Sequence, residues 1–485
     1  MTPTAEQDCA VETVLSGGPV KVKAYAGAGK SSTLRMTAQA LPRSRGYYLA
    51  FNKDIAEEAK GKFPKNTTCK TFNSLAFGAT RPEITRKLKN PVEPPFQLAQ
   101  RYGLGTVRLP TTIGKDLELG PSKLARMVMD GVARFCRSAQ AEPLAWHIPV
   151  DEIVKEDEAE HLRNSLLPHV KKHWAECIAP NSPSAITHNI YVKLWERSRP
   201  RIGADFILFD EAQDADGLML SVLRAQQAQV VYVGDPYQQI YEWRGAVNAM
   251  EHIRAPECAL TESFRFGPAI AQLASRMLRL MDEETPLRGQ DDIESRILLD
   301  ESPGLQKFDA ILCRKNATLL AKLAEGISRG HKVAVRAKAE DLRAFADGAE
   351  RLMRGERVFY PAALALFETW EEVQEYAESF AGRDLQPFVK LIDNEGVDYL
   401  RLILTRVTPE KDADYVLSTV HRGKGLEWDH VQLAGDFKFK QDEGRLTMTP
   451  EEMRLLYVAM TRAKHVLDVS EIRRDLYTMF REAGV

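Results

Sequence analysis

The sequence predicts an α/β protein with two parallel-sheet domains, each carrying a largely helical inserted subdomain. Apolar strands open onto Gly-rich or acidic turns in KVKAYAGAGKSS and DFILFDEAQD, and residues 86–200 between them are mostly helical in pattern. A second set of strands follows in DAILCRKN, DYVLSTVHRGKGLEWDHVQLAGDF and AKHVLDVS, and a charged helical stretch at 336–412 interrupts it. Alternation of strands and helices is typical of parallel sheets.

The length and composition agree with a protein of several domains. A chain of 485 residues is too long for one hydrophobic core. Hydrophobic residues make up 44% and charged residues 28%, as in ordinary globular proteins. The six cysteines lie far apart, which favours neither a structural zinc nor an iron–sulfur cluster and fits a reducing compartment.

The charge pattern leaves two interpretations open. The formal net charge is −2, so the total does not indicate a nucleic-acid-binding protein. Residues 81–140, however, carry eleven Lys/Arg against five Asp/Glu. This local excess fits either a solvated surface of mixed charge or a basic patch. We find no apolar run of membrane-spanning length and no signal-peptide core, so we expect no membrane partner and a cytoplasmic location, nucleoid-associated, or nuclear in a eukaryote.

The stretch AYAGAGKSS (24–32) has the pattern of a phosphate-binding loop, GxxxxGK[ST], with Ala24 in place of the first glycine. Gly27 and Gly29 let backbone N–H groups converge on phosphate oxygens at a helix N-terminus. Lys30 brings a positive charge to the β- and γ-phosphates, and Ser31 offers a hydroxyl to Mg²⁺. The alternative is a chance Gly-rich turn, which the preceding strand and following helix disfavour.

The stretch FILFDEAQD supplies a second half of a nucleotide site. A hydrophobic strand that ends in adjacent carboxylates requires partners for those carboxylates. Asp210 is predicted to hold the Mg²⁺ shell, and Glu211 to polarise the attacking water as general base. An exposed acidic turn is the alternative. Together with the phosphate loop, the strand end predicts hydrolysis of ATP.

Further motifs follow in a fixed order along the chain. GDPYQQIYEWRGA comes after DEAQD, TFNSLA (71–76) comes before it, and ESFRF (262–266), LCRKNA (312–317), STVHRGKGLEWD (418–429) and EEMRLLYVAMTRAK (451–464) come later. In this order the chain resembles superfamily 1A DNA helicases of the UvrD/Rep kind. AFNKDIAEEAK and CKTFNSLAFG resemble the F-box DNA helicase branch most closely.

The resemblance implies an ATP site divided between two RecA-like P-loop domains. Gln7 would read the adenine, Phe264 would stack on it, and Glu427 would contact the ribose. The catalytic set implied in this way comprises Lys30, Asp210, Glu211, Gln238, Arg265 and Arg462, the two arginines acting on the γ-phosphate. The implied nucleotide-binding set comprises Gln7, Ala26, Gly27, Ala28, Gly29, Lys30, Ser31, Ser32, Phe264 and Glu427, with Ser31 and Asp210 as metal ligands. The implied cofactors are ATP and Mg²⁺.

Aromatic residues in two motifs predict a track for single-stranded DNA. Rings that stack on bases contribute ~1–3 kcal/mol each. The candidates are Phe72, Tyr241 and Trp243, with Phe51 weaker, and core packing is the alternative for each ring. Predicted backbone or relay contacts come from Thr71, Arg244 and His421, although His421 also fits a histidine satisfied at a strand end.

By the same resemblance we predict domain bounds. RecA-like domain 1A covers 1–85 and 200–258, its insert 1B covers 86–199, domain 2A covers 259–335 and 413–485, and a short insert 2B covers 336–412. The function expected is an ATP-dependent single-stranded DNA translocase and 3′–5′ helicase acting at duplex junctions. Alternatives are a translocase that strips proteins from single strands, a nucleotide-gated motor subunit of a larger repair or defence complex with a protein partner, and an RNA motor.

Overall fold

The computed structural model describes residues 3–112, 114, 116–150, 154–240, 248–300, 308–336, 339–358, 361, 364, 367–378, 385–442 and 444–485. The chain folds as two compact units. The first comprises Met1–Lys23, Lys30–Pro236 and Tyr241–Ala259, and the second comprises Ala24–Gly29, Tyr237–Ile240 and Leu260–Val485.

Through residue 260 the helices and strands alternate as the sequence predicts for an α/β fold. They are α1 (Ala5–Leu15), β1 (Val20–Ala24), α2 (Lys30–Ala40), β2 (Gly46–Ala50), α3 (Lys53–Lys60), β3 (Thr67–Thr71), α4 (Phe72–Ala79), α5 (Pro82–Thr85), α6 (Pro95–Tyr102), β4 (Val107–Pro110), β5 (Asp116–Leu119), α7 (Pro121–Phe135), α8 (Glu156–Ile178), α9 (His188–Arg197), β6 (Phe206–Phe209), α10 (Gly217–Arg224), β7 (Gln229–Gly234), α11 (Ala249–His252) and β8 (Glu257–Leu260).

The main sheet of this part has the strand order β3-β2-β6-β7-β1-β8. The pairs β2–β3, β2–β6, β6–β7 and β1–β7 are parallel. All four residues of β6, FILF, are buried, as expected for a strand covered on both faces. Gly46 of β2 allows a close approach, since a Cβ there would lie 2.1 Å from the Phe206 ring.

The parallel order decides where the site lies. Because β6, β7 and β1 are neighbours and run the same way, their carboxyl ends meet at one edge of the sheet. The acidic stretch after β6 therefore lies beside the end of β7, and the phosphate loop follows β1. Ligands of open parallel sheets bind at this edge.

The remaining elements follow β8. They are β9 (Glu262–Ser263), α12 (Pro268–Arg279), β10 (Arg288–Gly289), β11 (Arg296–Leu298), β12 (Ala310–Cys313), α13 (Asn316–Ser328), β13 (Val333–Arg336), α14 (Ala339–Met353), α15 (Trp370–Glu378), α16 (Gln386–Glu395), α17 (Val397–Thr405), β14 (Tyr415–Thr419), α18 (Val420–Gly423), β15 (Trp428–Leu433), β16 (Lys440–Asp442), β17 (Arg445–Thr447), α19 (Pro450–Met460), β18 (Ala463–Asp468) and α20 (Arg473–Ala483). The second main sheet has the order β11-β18-β15-β12-β14-β13, and its pairs are parallel.

The two helical inserts differ in how they bury their apolar residues. In the first unit, α6, α7, α8 and the start of α9 enclose a core of their own, which includes Leu98, Val128 and Trp174. In the second unit, α14–α17 share one core with the sheet and α13. The two-sheet α/β fold predicted from the sequence is thus present.

Candidate functional site

The acidic stretch after β6 places one carboxylate in a buried, hydrogen-bonded position. Asp210 is 7% exposed. Its Oδ2 accepts a hydrogen bond of 2.7 Å from the Tyr48 hydroxyl, and its Oδ1 accepts one of 2.9 Å from the backbone N–H of Glu211. Tyr48 stands on the adjacent strand β2, and Phe63 stacks on its ring. Burial, together with the neighbouring Glu211, raises the pKa of Asp210 to about 6.

Glu211 joins the acidic stretch to the helix that follows the phosphate loop. Its Oε1 lies 3.3 Å from Lys30 Nζ, and its Oε2 accepts a 2.5 Å hydrogen bond from Gln213 Nε2. The backbone of Glu211 is left-handed, with φ of 52°, a conformation that only a few per cent of non-glycine residues adopt. The fully buried Gln213 also accepts the Asp235 N–H, at 3.1 Å, at the end of β7.

Lys30 lies among carboxylates at this edge of the sheet. Burial by itself lowers its pKa, but Glu211, Asp235 and Asp210 outweigh burial and leave the pKa of Lys30 raised. The ammonium is therefore held in its charged form. Ser31 and Ser32 follow it and are exposed.

Gln7 is tied to the same helix. It is 5% exposed, and its Nε2 lies 3.2 Å from Thr33 Oγ1 on α2. Its Oε1 accepts the Thr4 N–H and completes a capping box at the start of α1. The amide predicted to read adenine is thus held beside the helix that begins with Lys30.

The glycine half of the phosphate loop packs in the second unit. Gly27 has φ of +74°, and its carbonyl accepts the Phe264 N–H at 2.9 Å. A Cβ at Gly27 would lie 2.4 Å from Ser263 Oγ and 2.8 Å from Arg265 Cβ, so only glycine fits here. The N–H of Ala26 lies 3.4 Å from the Tyr457 hydroxyl. Ala26 and Ala28 are buried, and Phe264 is half-buried.

Arg462 and Gln238 meet inside the second unit. Arg462 is 1% exposed, and its Nη2 donates to Gln238 Oε1 at 3.1 Å. The guanidinium also donates to the carbonyls of Val458 and Leu426 and to the Thr461 hydroxyl. Two residues of the implied catalytic set are therefore in direct contact.

Arg265 and Glu427 also pair with each other. Arg265 Nε lies 2.7 Å from Glu427 Oε2, and Arg265 Nη1 donates to the Thr461 carbonyl at 2.9 Å. The sequence predicts separate ligands for these two side chains, the γ-phosphate and the ribose. In this structure each is the other's partner, so binding to those ligands requires the pair to open.

The predicted DNA-contacting ring of Phe72 is placed in the core. Phe72 is 3% exposed and packs edge to face on Trp195, with ring centroids 5.2 Å apart. In this structure the ring takes the core-packing alternative, because the first residue of α4 faces α9, and the base-stacking role stays a prediction. Thr71 caps α4, and its Oγ1 accepts the Ser74 N–H at 3.1 Å.

The weaker candidate ring is the exposed one. Phe51, just before α3, is 44% exposed. His421 is half-buried in α18. The predicted DNA contacts Tyr241, Trp243 and Arg244 lie outside the described residues.

Sequence reasoning missed two side chains of the acidic stretch, Tyr48 and Gln213. Gln213 lies within DEAQD, so its position in the motif was an available signal. Tyr48 carries no such signal, because it reaches Asp210 only through the pairing of β2 with β6. Lys424 was missed as well, and its Nζ donates to the Gln238 carbonyl at 2.7 Å.

The residues present fit a nucleotide with its metal. Asp210 and Ser31 offer the oxygen ligands that Mg²⁺ prefers, and Lys30 offers a charged ammonium for phosphate. Two parallel sheets, a glycine phosphate loop and an acidic strand end together define a RecA-like P-loop protein. Among the described residues, no helix combines the length and apolar character that crossing a membrane requires.

Comparison with known proteins points to one family within that class. Residues 193–252 match the UvrD/REP helicase N-terminal domain, and residues 365–474 match the UvrD-like helicase C-terminal domain. The chain thus carries matches to both the N- and the C-terminal domain models of UvrD-like helicases, a family whose members use ATP, generally with Mg²⁺.

Two curated relatives match almost the whole chain. F-box DNA helicase protein 1 of Schizosaccharomyces pombe is 31% identical over 527 residues, which cover 98% of this chain and 58% of the relative. F-box DNA helicase 1 of Gallus gallus is 28% identical over 516 residues, which cover 96% of this chain and 48% of the relative. The chain therefore spans about half the length of these relatives.

Proposed function

We propose that this chain is an ATP-dependent single-stranded DNA translocase and 3′–5′ DNA helicase. The observation that carries the proposal is the meeting of Lys30, Glu211 and the buried Asp210 at the carboxyl edge of a parallel sheet. The matches to UvrD-like helicase domains support the same function, and the relatives named DNA helicases support DNA as the substrate. The 3′–5′ polarity rests on the family resemblance.

Each residue of the acidic stretch has a proposed part in ATP hydrolysis. Glu211 accepts a proton from the attacking water as general base, and Gln213 orients its carboxylate. Lys30 binds phosphate oxygens once its contact with Glu211 loosens. Asp210 and Ser31 would hold Mg²⁺, which would neutralise charge on the β- and γ-phosphates when bound.

Within the second unit, Arg462 and Gln238 are proposed to respond to the γ-phosphate. The buried guanidinium is already held by neutral oxygens, so its orientation is set in advance. Gln238 lies three and five residues before Tyr241 and Trp243, the proposed base contacts. A movement of the Gln238 side chain on nucleotide binding would therefore need to pass through only a few residues to reach the proposed DNA contacts.

The assignment of 1A, 1B, 2A and 2B with the bounds given above remains part of this proposal. So do the roles of Gln7, Phe264 and Glu427 towards adenine and ribose. The alternative is a nucleotide-gated motor subunit that strips proteins or signals within a larger complex. It also predicts ATPase activity, but it predicts that the chain alone does not unwind duplex DNA.

The decisive experiment measures the ATPase rate of the purified chain with single-stranded DNA, duplex DNA and RNA. We expect strong stimulation by single-stranded DNA, and loss of nucleotide binding and activity in Lys30→Ala. Exposed Lys65→Ala is the matched control and should behave as wild type. An ATPase indifferent to DNA, or stimulated better by RNA, would refute the proposal.

A second assay separates the helicase from the alternative. Duplexes with 3′ or 5′ single-stranded tails are offered to the purified chain with ATP. Unwinding of the 3′-tailed duplex alone supports 3′–5′ polarity. DNA-stimulated ATPase without unwinding of either duplex favours the motor subunit of a larger complex.

A further inference from the structure

The two helical inserts carry opposite charge. The first insert, residues 86–199, contains seventeen Lys/Arg and thirteen Asp/Glu, whereas the second, residues 336–412, contains eleven Lys/Arg and sixteen Asp/Glu. A polyanion is attracted to the first stretch and repelled by the second. The excess of cations in the first insert is not used by the nucleotide site described above.

Part of this charge lies along one face of α7. Lys123, Arg126, Asp130 and Arg134 are spaced by three or four residues, which places them on one side of a helix. The opposite side packs into the insert's own core through Leu124, Val128, Phe135 and other buried residues. Lys123 and Arg134 are exposed, and Arg126 is half-buried. We call Lys123, Arg126 and Arg134 the α7 basic face.

The three cations lie close enough together to act on one carboxylate. Burial raises the pKa of Asp130, and Arg126, Arg134 and Lys123 oppose that shift. Asp130 therefore lies close enough to all three cations to interact with them electrostatically. Three cations around one partly buried carboxylate leave this face with net positive charge.

An exposed aromatic ring lies near the C-terminal end of α7. Trp146 is 56% exposed, and its ring stacks on His147 with centroids 3.8 Å apart. His147 is fully buried, packs against Phe135 at the end of α7, and contacts Ser138 Oγ at 3.0 Å. Arg134 lies near enough to act electrostatically on His147. The tryptophan is therefore held in place by a buried ring, with one side open to solvent.

We propose that the α7 basic face and Trp146 form a binding site for single-stranded DNA on the first insert. The cations follow the phosphate backbone, and the Trp146 ring stacks on an unpaired base. This inference rests on the proposed function, and it adds a contact surface outside the helicase motifs. It also assigns DNA contact to the basic insert and none to the acidic one.

The Trp146 ring is the feature that favours single-stranded DNA over duplex DNA as the ligand. Positive charge alone attracts both forms, because both carry the same phosphates. A base in a duplex interior has both faces covered by its neighbours, whereas an unpaired base offers a face to an aromatic side chain. An exposed, pre-oriented tryptophan beside a basic helix face matches the chemistry of single-strand binding.

The main test removes the charge from the face. The triple variant Lys123→Gln/Arg126→Gln/Arg134→Gln is compared with wild type for binding of a fluorescent oligo(dT) over a range of salt concentrations. Each phosphate contact in a single strand contributes about 0.7 to the slope of log K against log salt. We expect the slope to fall by about 2 and the affinity at low salt to drop at least tenfold.

The acidic insert supplies a matched control. Arg351, Arg354 and Arg357 are exposed and ion-paired with neighbouring glutamates. Their triple replacement by Gln removes the same charge and should leave both the slope and the affinity as in wild type. Arg126→Lys/Arg134→Lys keeps the charge and should retain wild-type binding, and thermal melting of every variant checks that it folds.

The ring is tested separately. Trp146→Ala should weaken oligo(dT) binding about 5- to 100-fold, with no change in the salt slope. Tyr376→Ala, which truncates a 40% exposed ring of the acidic insert, should have no effect.

The outcomes separate this inference from the proposed function. If wild type shows DNA-stimulated ATPase but the Gln triple and Trp146→Ala bind oligo(dT) as wild type does, the inference is wrong and the proposed function stands. If the Gln triple weakens only a blunt duplex, the single-strand assignment is overturned. If the wild-type protein binds no DNA, both the inference and the proposed function are wrong.

Discussion

One buried charge in each unit is stabilised in the opposite way from the other. In the first, the buried carboxylate Asp210 accepts hydrogen bonds from Tyr48 and a backbone N–H. In the second, the buried guanidinium of Arg462 donates to carbonyl, amide and hydroxyl oxygens.

The difference follows from the chemistry of the two groups. A carboxylate can take up a proton when burial disfavours its charge, and the pKa of Asp210 is indeed raised to about 6. An arginine keeps its charge at any ordinary pH. The first unit therefore has a charge that responds to pH and to its neighbours, and the second has a permanent cation.

The largest effect is expected at the permanent cation. Arg462→Ala should lower the ATPase rate by ~10³-fold or more, the loss typical of arginines that stabilise phosphoryl transfer. It should also lower the melting temperature, because several buried oxygens lose their donor. Arg473→Ala, at an exposed arginine paired with Asp300, is the control and should change neither. Retained activity in Arg462→Ala would show that the guanidinium is structural.

The variant Glu211→Gln tests the proposed role of the Glu211 carboxylate in the first unit. Loss of a general base should lower the ATPase rate by ~10²- to 10⁴-fold while nucleotide binding persists. Glu57→Gln, at an exposed glutamate paired with Lys60, is the matched control. If Glu211→Gln abolished nucleotide binding instead, its contact with Lys30 would be the more important role.

A second carboxylate of the first unit tests the pH response away from the nucleotide site. Asp216 caps α10 by accepting the Met219 N–H at 2.9 Å, and burial raises its pKa to about 6 from 3.8. Because the folded pKa is the higher one, its contribution to stability is lost as pH rises from about 4 to about 6.

Asp216→Asn keeps the cap and removes the charge, since asparagine caps helices equally well. Relative to wild type, it should gain about 2–3 kcal/mol of unfolding free energy between pH 4 and pH 7, measured with urea. Asp216→Ala loses the cap as well and should be less stable than Asp216→Asn at both pH values. A pH-independent difference between Asp216→Asn and wild type would contradict the buried-charge account.

The smallest effect is expected at Tyr48. Tyr48→Phe removes the hydroxyl that donates to Asp210 and should lower the unfolding free energy by about 1.5 kcal/mol at pH 8. Tyr47→Phe, on the neighbouring residue of the same strand, should have no such effect. Equal stability of the two variants would mean that the Tyr48 hydrogen bond contributes little.

Local pattern predicted much of the fold, and it predicted a nucleotide site that stays a proposal. Lys30 and Glu211 were predicted from the residues that follow two apolar strands, and the structure brings them within 3.3 Å. The rule works because parallel strands share one carboxyl edge, so motifs distant in the chain meet there.

Local pattern did not decide whether the rings of Phe72 and Phe51 are exposed. Both follow strands of one sheet, yet Phe72 is 3% exposed and Phe51 is 44% exposed. The neighbour that buries Phe72 is Trp195, more than a hundred residues later. No local signal reports such a partner.

The sequence by itself determined the strands, their polar ends and the resemblance to UvrD-like helicases, because these depend on residue types at short spacing. Tertiary structure alone decided that Tyr48 meets Asp210, that Arg265 pairs with Glu427, and that Trp146 stays exposed on a buried histidine. The physical reason is that the burial of a side chain and the residues it contacts are set by the packing of segments distant in the chain. A motif specifies only the residue types within one segment.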